Sequence, residues 1–148
     1  MENAWKKYNN REKKEVFAFA EGYKKFISDC KTERECVARG IEIAEAHGFR
    51  NVRECIRNHE KLNPGDKVYL NNMGKDLALF IIGKKPMEEG MNILGAHIDS
   101  PRIDLKQNPF YEDHDIALAD THYYGGIKSY QWVTLPLAMH GVVCKKDG

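Results

Sequence analysis

Residues 91–106 read MNILGAHIDSPRIDLK, and the reading of the whole chain turns on them. Asn92-Ile93-Leu94-Gly95-Ala96 is a short apolar run behind Gly90, the pattern of a buried strand. Pro101 has no N–H to give a ladder and restrains Ser100, so the strand should stop there. Residues two apart on a strand share a face, which puts His97 and Asp99 on one side and Ile98 on the other. The pair would stand at the C-terminal end of a strand, where open α/β sheets place their ligands. A carboxylate beside an imidazole is also a recurring metal-site arrangement: it accepts from the ring nitrogen that does not bind metal and so fixes the tautomer. As a bare pattern, His-x-Asp more often marks a satisfied polar histidine at a strand end than a metal site.

Upstream, residues 10–28 carry Val16, Phe19, Ala20, Tyr23, Phe26 and Ile27 at three- and four-residue steps between charges. That spacing predicts an amphipathic helix, with packing on its own domain favoured over a membrane or partner role. Thr32-Glu33-Arg34-Glu35 has the form of a capping box and starts a second helix through Val37, Ile41 and Ala44. Gly48 is its natural stop, leaving His47 in the last turn, where the helix dipole favours a cation, rather than as a ligand. Residues 49–62 permit a short helix, with His59 on the surface. Asn63-Pro64-Gly65-Asp66 is a turn. Residues 67–70 and 76–83 then read as a hairpin around Gly74, and residues 84–90 as a polar loop.

Downstream, Arg102-Ile103-Asp104-Leu105-Lys106 alternates like a half-exposed strand, and Asn108-Pro109 should break it. Arg102 suits a carboxylate contact and a surface role equally. His114 and Asp115 fall in a charged loop, where solvated side chains are the better reading than a metal site. Thr121-His122-Tyr123-Tyr124-Gly125-Gly126 is either a substrate-binding turn or, the favoured reading, a hinge between two units. Residues 131–143 are mostly β-compatible, with Tyr130 and Trp132 packing at the junction and Pro136 marking an edge or bulge. The chain ends on Asp147-Gly148, a hairpin signal with no returning strand, which predicts that the polypeptide continues.

At 148 residues the chain has room for one ordinary domain. A formal net charge of +1 offers no electrostatic footprint for nucleic acid and no polybasic patch for a membrane. The N-terminus shows no apolar signal segment, so a soluble cytoplasmic protein is expected. Cys30, Cys36, Cys55 and Cys144 form no C-x-x-C pair and read as reduced thiols in or near the core.

Three ordered blocks carry a family resemblance: Gly95-Ala96-His97-Ile98-Asp99-Ser100-Pro101-Arg102, Pro64-Gly65-Asp66-Lys67-Val68-Tyr69 upstream, and Tyr123-Tyr124-Gly125-Gly126-Ile127-Lys128 downstream. They resemble the aspartyl aminopeptidase family of zinc metallopeptidases, and the resemblance covers most of the chain. The resemblance implies an α/β fold, a mixed sheet flanked by helices. This would be zinc-exopeptidase-like but incomplete, with the start of an inserted β-rich domain. Residues 1–124 would be the N-terminal part of the catalytic domain, and residues 125–148 the beginning of an oligomerisation insert. It also implies His97 as a metal ligand, Asp99 as its catalytic support, and zinc as cofactor, as two divalent ions in the complete site with other divalent metals open. The partners implied are a peptide substrate and, in the full-length form, a homo-oligomer, with no nucleic acid and no membrane.

The family's bridging aspartate, its general-base and ligand glutamates, and its last histidine ligand match no position here. The expected function is therefore an N-terminal fragment of a metal-dependent aminopeptidase, inactive alone. The alternative is a non-catalytic truncated paralogue that associates with full-length subunits. A small metal-binding domain built from His97, His114 and His122 ranks third.

Overall fold

The computed structural model describes residues 2–147. The chain divides into two compact units, Met1–Ile98 and Asp99–Gly148, taken here in turn.

In the first unit, Asn3 caps a single helical turn, α1 (Ala4–Lys7), through its side-chain oxygen on the Trp5 N–H. Asn9 and Glu12 then close a capping box at the start of α2 (Asn10–Asp29). The expected 10–28 helix is present, but its packing differs from expectation. No residue of α2 is buried, and Phe19 (80% exposed) and Tyr23 (60%) of its apolar stripe lie open. Only part of that stripe, with Val16, Ala20 and Phe26 half-buried, is covered. α3 (Glu33–Ala46) begins at the anticipated Thr32–Glu35 capping box. It ends in a Schellman motif: the Gly48 N–H donates to the Glu45 carbonyl and the Phe49 N–H to the Ala44 carbonyl. Gly48 sits at φ +83°, a conformation glycine adopts without a Cβ penalty.

Next come β1 (Arg50–Asn51), α4 (Val52–Arg57), β2 (Lys67–Asn72) and β3 (Asp76–Ile81). β2 is central, parallel to β1 and antiparallel to β3, so the sheet is mixed as expected. The Asn63–Asp66 turn forms as read, with the Asp66 N–H donating to the Asn63 carbonyl and the Asn63 N–H to the Asp66 carboxylate. Successive residues of a strand face opposite ways. Val68 and Tyr69 are both buried, at 2% and 5% exposure, so both faces of β2 are covered, and both α3 and α4 pack against it. Val37, Ala44, Cys55 and Cys30 complete the buried set. Gly40 lets β3 approach α3, since a Cβ there would lie 2.8 Å from Leu77 Cδ2.

Burial pushes the Cys30, Cys36 and Cys55 thiols up, as for inert reduced cysteines in or near the core. Cys144 departs from that expectation and is exposed.

Tyr69 ties β2 to α3: its hydroxyl donates to Glu45 Oε1 at 2.7 Å. That carboxylate acceptor, with burial second, pushes the phenol up to about 12. A pKa raised on folding gives stability that is whole below the unfolded value near 10 and is lost as pH rises through 12. The change from about 10 to about 12 corresponds to roughly 2.7 kcal/mol, and solvent screening at the exposed Glu45 reduces this to about 1 kcal/mol. Between pH 10 and 12 the denaturation midpoint of the natural chain should therefore fall more steeply than that of Tyr69→Phe. Equal slopes would contradict the assignment.

In the second unit, β4 (Arg102–Asp113) and β5 (Ile116–Tyr124) form an antiparallel hairpin. Asn108-Pro109 does not break β4 as expected. The ladder shifts register between Leu105 and Phe110, with Asn108 at φ +52°, and a bulge absorbs the missing proline donor. His114 and Asp115, at φ +52° and +59°, are the two-residue turn of the hairpin rather than a longer loop. Residues 131–143 form no strand. Val133, Leu135, Leu137, Met139, Val142 and Val143 stand more than half exposed, and Tyr130 is exposed rather than packed. Their apolar character is β-compatible, but a strand exists only with a ladder partner, and none is present among the described residues. Gly148, the second residue of the terminal hairpin signal, lies outside the described residues.

Candidate metal-binding segment

The segment expected to be a buried strand, residues 92–96, has no regular structure: Ile93 is 78% exposed and Leu94 fully so. The composition is that of a core strand, yet no described strand pairs with it, and apolar side chains alone do not make a ladder. Alternation along a strand, which placed His97 and Asp99 on one side, does not apply to an irregular segment. His97 lies in the first unit and is exposed, so its imidazole is not sealed in hydrocarbon.

Asp99 opens the second unit and is half-buried. The hydroxyl of Tyr124 donates to its Oδ2 at 2.8 Å. Tyr124 is the last residue of β5 and pairs with Arg102, the first of β4. The Arg102 guanidinium lies over the Tyr124 ring, 4.2 Å from its centroid. Arg102 Nε donates to Asp104 Oδ1 at 2.8 Å, so this arginine is engaged by its own strand. After Tyr124 the chain turns through Gly125 at φ +73°, where a Cβ would lie 3.4 Å from Pro101 Cα. The left-handed φ favours glycine there, while the approach to Pro101 is ordinary contact. Sequence reasoning passed over Tyr124 as a partner of Asp99; Gly125 was the available signal, since it marks a turn of the backbone.

Three other histidines, His47, His114 and His122, lie on or beside regular elements. His47 Nδ1 lies 2.7 Å from the Ile43 carbonyl at the end of α3. His114 Nδ1 sits 2.9 Å from the carboxylate of Asp113 on an exposed turn. His122 is exposed on β5, opposite Asp104. Among the described residues no group of three or more His, Cys, Asp or Glu side chains comes together that could hold a metal ion. This overturns the three-histidine site. It also means that the donor set does not fit a complete catalytic zinc, which takes three protein ligands and a water. Among the described residues no helix is long and apolar enough to cross a membrane.

The profile of the family described as "Aminopeptidase I zinc metalloprotease (M18)" matches residues 26–148. The "Probable M18 family aminopeptidase 1" of Clostridium acetobutylicum is 62% identical over 146 residues, covering 99% of this chain and 31% of that protein. The protein of that name from Borreliella afzelii is 44% identical over 147 residues, again 99% of this chain and 31% of its own length. Among solved structures, aminopeptidase I from C. acetobutylicum superposes with a TM-score of 0.81 at 62% identity, covering 99% of this chain and 32% of that one. The M18 aminopeptidase from Thermotoga maritima gives 0.83 at 40% identity, covering 99% and 31%. The chain thus spans about a third of the length of the relatives it matches.

Proposed function

Because the chain belongs to the M18 family of aminopeptidase I zinc metalloproteases, we propose that it is the N-terminal portion of a metal-dependent aminopeptidase and supplies one arm of its zinc site. His97 is the metal ligand of that arm. Asp99 acts on the metal only through His97, holding the ring in the ligating tautomer. The observation that carries this reading is the exposed imidazole of His97 inside the Gly95–Arg102 block, whose sequence the family resemblance rests on.

Zinc, when bound, polarises a peptide carbonyl and acidifies its water. The rest of the donor set, including the second ion's ligands and the general base, would come from polypeptide outside these residues. The complete enzyme would remove N-terminal residues from peptides in the cytoplasm as a homo-oligomer. Its catalytic portion here would run through Tyr124, and an inserted oligomerisation domain would begin at Gly125.

Alone, the chain should not hydrolyse peptides. Combined with the remaining two-thirds of the C. acetobutylicum relative, it should restore aminopeptidase activity, and the same mixture made with His97→Ala should not. Vigorous hydrolysis by the isolated chain, or restoration by His97→Ala equal to that of the natural sequence, would overturn the proposal.

One observation favours the second reading, a non-catalytic chain docking on full-length subunits. Ile93 and Leu94 expose apolar surface that ordinarily needs a partner. Size exclusion with a full-length relative separates the two readings. Co-elution without any gain in activity supports docking, and independent elution removes it.

A further inference from the structure

α2 runs for 20 residues without burying one, although Phe19 and Tyr23 rise from the same face a turn apart. They border a groove of about 420 Å³, lined also by Ala18, Gly22 and Phe26 of α2 and Ile43 of α3. Lys25 and Arg39, the two cations beside it, are engaged by Asp29 and Glu42 of their own helices. Neither stands free for an acidic ligand, and the groove asks for an apolar occupant. At Gly22 a Cβ would meet nothing within 4 Å, so the gap there is not filled by the chain itself.

Bulk beside a gap makes this face complementary to itself. In an antiparallel pair of α2 helices, Phe19 of each copy falls opposite Gly22 of the other, and Tyr23 opposite Ala18. One two-fold axis satisfies both contacts, which is the isologous geometry of most homodimers. The area agrees. A covered aromatic side chain buries about 150–250 Å². Phe19 and Tyr23, 80% and 60% exposed, therefore hold roughly 300 Å² per copy, or about 600 Å² for the pair. Phe26, Ile27 and Ile43 add to this, and polar rim makes up about a third of a homodimer interface. The total approaches the roughly 1,200 Å² at which specific interfaces begin.

We propose that this α2–α3 face is a self-association surface, covered by the same face of a second copy of the chain with the two α2 helices antiparallel. It lies wholly within the first unit. It depends neither on the zinc reading nor on an oligomerisation insert beginning at Gly125.

Sedimentation equilibrium of the full 148-residue chain tests this. The mass should rise from one copy towards two as concentration passes through about 1–100 µM. Phe19→Asp should weaken the association at least tenfold. Gly22→Gln is the sharper variant, because glutamine favours a helix and its Cβ meets no neighbour in its own chain. Thermal stability of the monomer should hold or rise while dimerisation weakens by a similar factor. Leu94→Asp, which removes an exposed apolar side chain outside this face, should leave the dimer intact. Far-UV circular dichroism shows whether the helices survive in each variant. A chain monomeric throughout that range overturns the proposal, as does a dimer indifferent to both Phe19→Asp and Gly22→Gln. A full-length chimera, with this chain in place of the matching third of the C. acetobutylicum relative, identifies the other occupant. Phe19→Asp should lower its assembled mass. An assembly of unchanged mass that instead loses thermal stability would place the face against the relative's own polypeptide, and would also overturn the proposal.

Discussion

Val68→Asp should leave the first unit unfolded. Val68 is 2% exposed on the central strand, paired with Arg50 on one side and Phe80 on the other. An aspartate there must either ionise without a partner or carry a proton into an apolar site. Either route costs roughly 3–5 kcal/mol, before the loss of valine packing is added. A small domain holds only about 5–15 kcal/mol in reserve. This unit is at the lower end of what a core can supply, because the largest fully buried side chains among its described residues are two valines, Val37 and Val68. The control is Ile81→Asp, at the end of β3 and 65% exposed, which should change stability by no more than about 0.5 kcal/mol. Far-UV circular dichroism should show loss of α2 and α3 signal for Val68→Asp and retention for Ile81→Asp. Equal folding of the two variants would contradict the placement of the core.

What was legible in the sequence divides by the range of the interaction that decides it. The capping box of Thr32 and Glu35, the Schellman stop at Gly48 and the Asn63–Asp66 turn are satisfied by groups a few residues apart. The hairpin of β2 and β3 was visible for the same reason: two β-rich runs flank a turn in which Met73 and Gly74 take left-handed conformations.

Stretches of strand composition with no pairing neighbour among the described residues were not read correctly. Residues 92–96 and 131–143 have strand composition, but composition names a candidate and only a neighbour makes a ladder. The opposite error occurred at Asn108-Pro109, where a locally correct rule about proline was overridden by a register shift that keeps β4 paired. β5 is absent from the sequence reading because His114-Asp115 reads there as part of a charged, solvated loop. Asp tolerates the left-handed turn conformation, and that was the signal for the hairpin.

Of the candidate site, His97 and Asp99 could be singled out because they lie within one motif. Tyr124 could not, since a contact across 25 residues depends on how β4 and β5 pair. The donors that would complete a zinc centre match no position in this sequence, so no reading of it could have assigned them.

The second large effect concerns His97. In a chimera where this chain replaces the matching third of the C. acetobutylicum relative, 62% identity makes the replacement conservative. If His97 is the ligand we propose, His97→Ala removes a ligand rather than a support. The expected loss therefore exceeds the 10–100-fold typical of changes in the groups around a metal's ligands. Zinc content per subunit, measured beside aminopeptidase activity on the same folded preparations, is the most direct reading. The account predicts a zinc-loaded, active chimera and a His97→Ala form that has lost metal and activity together. A His97→Ala chimera that keeps its full zinc complement and its activity would contradict the account.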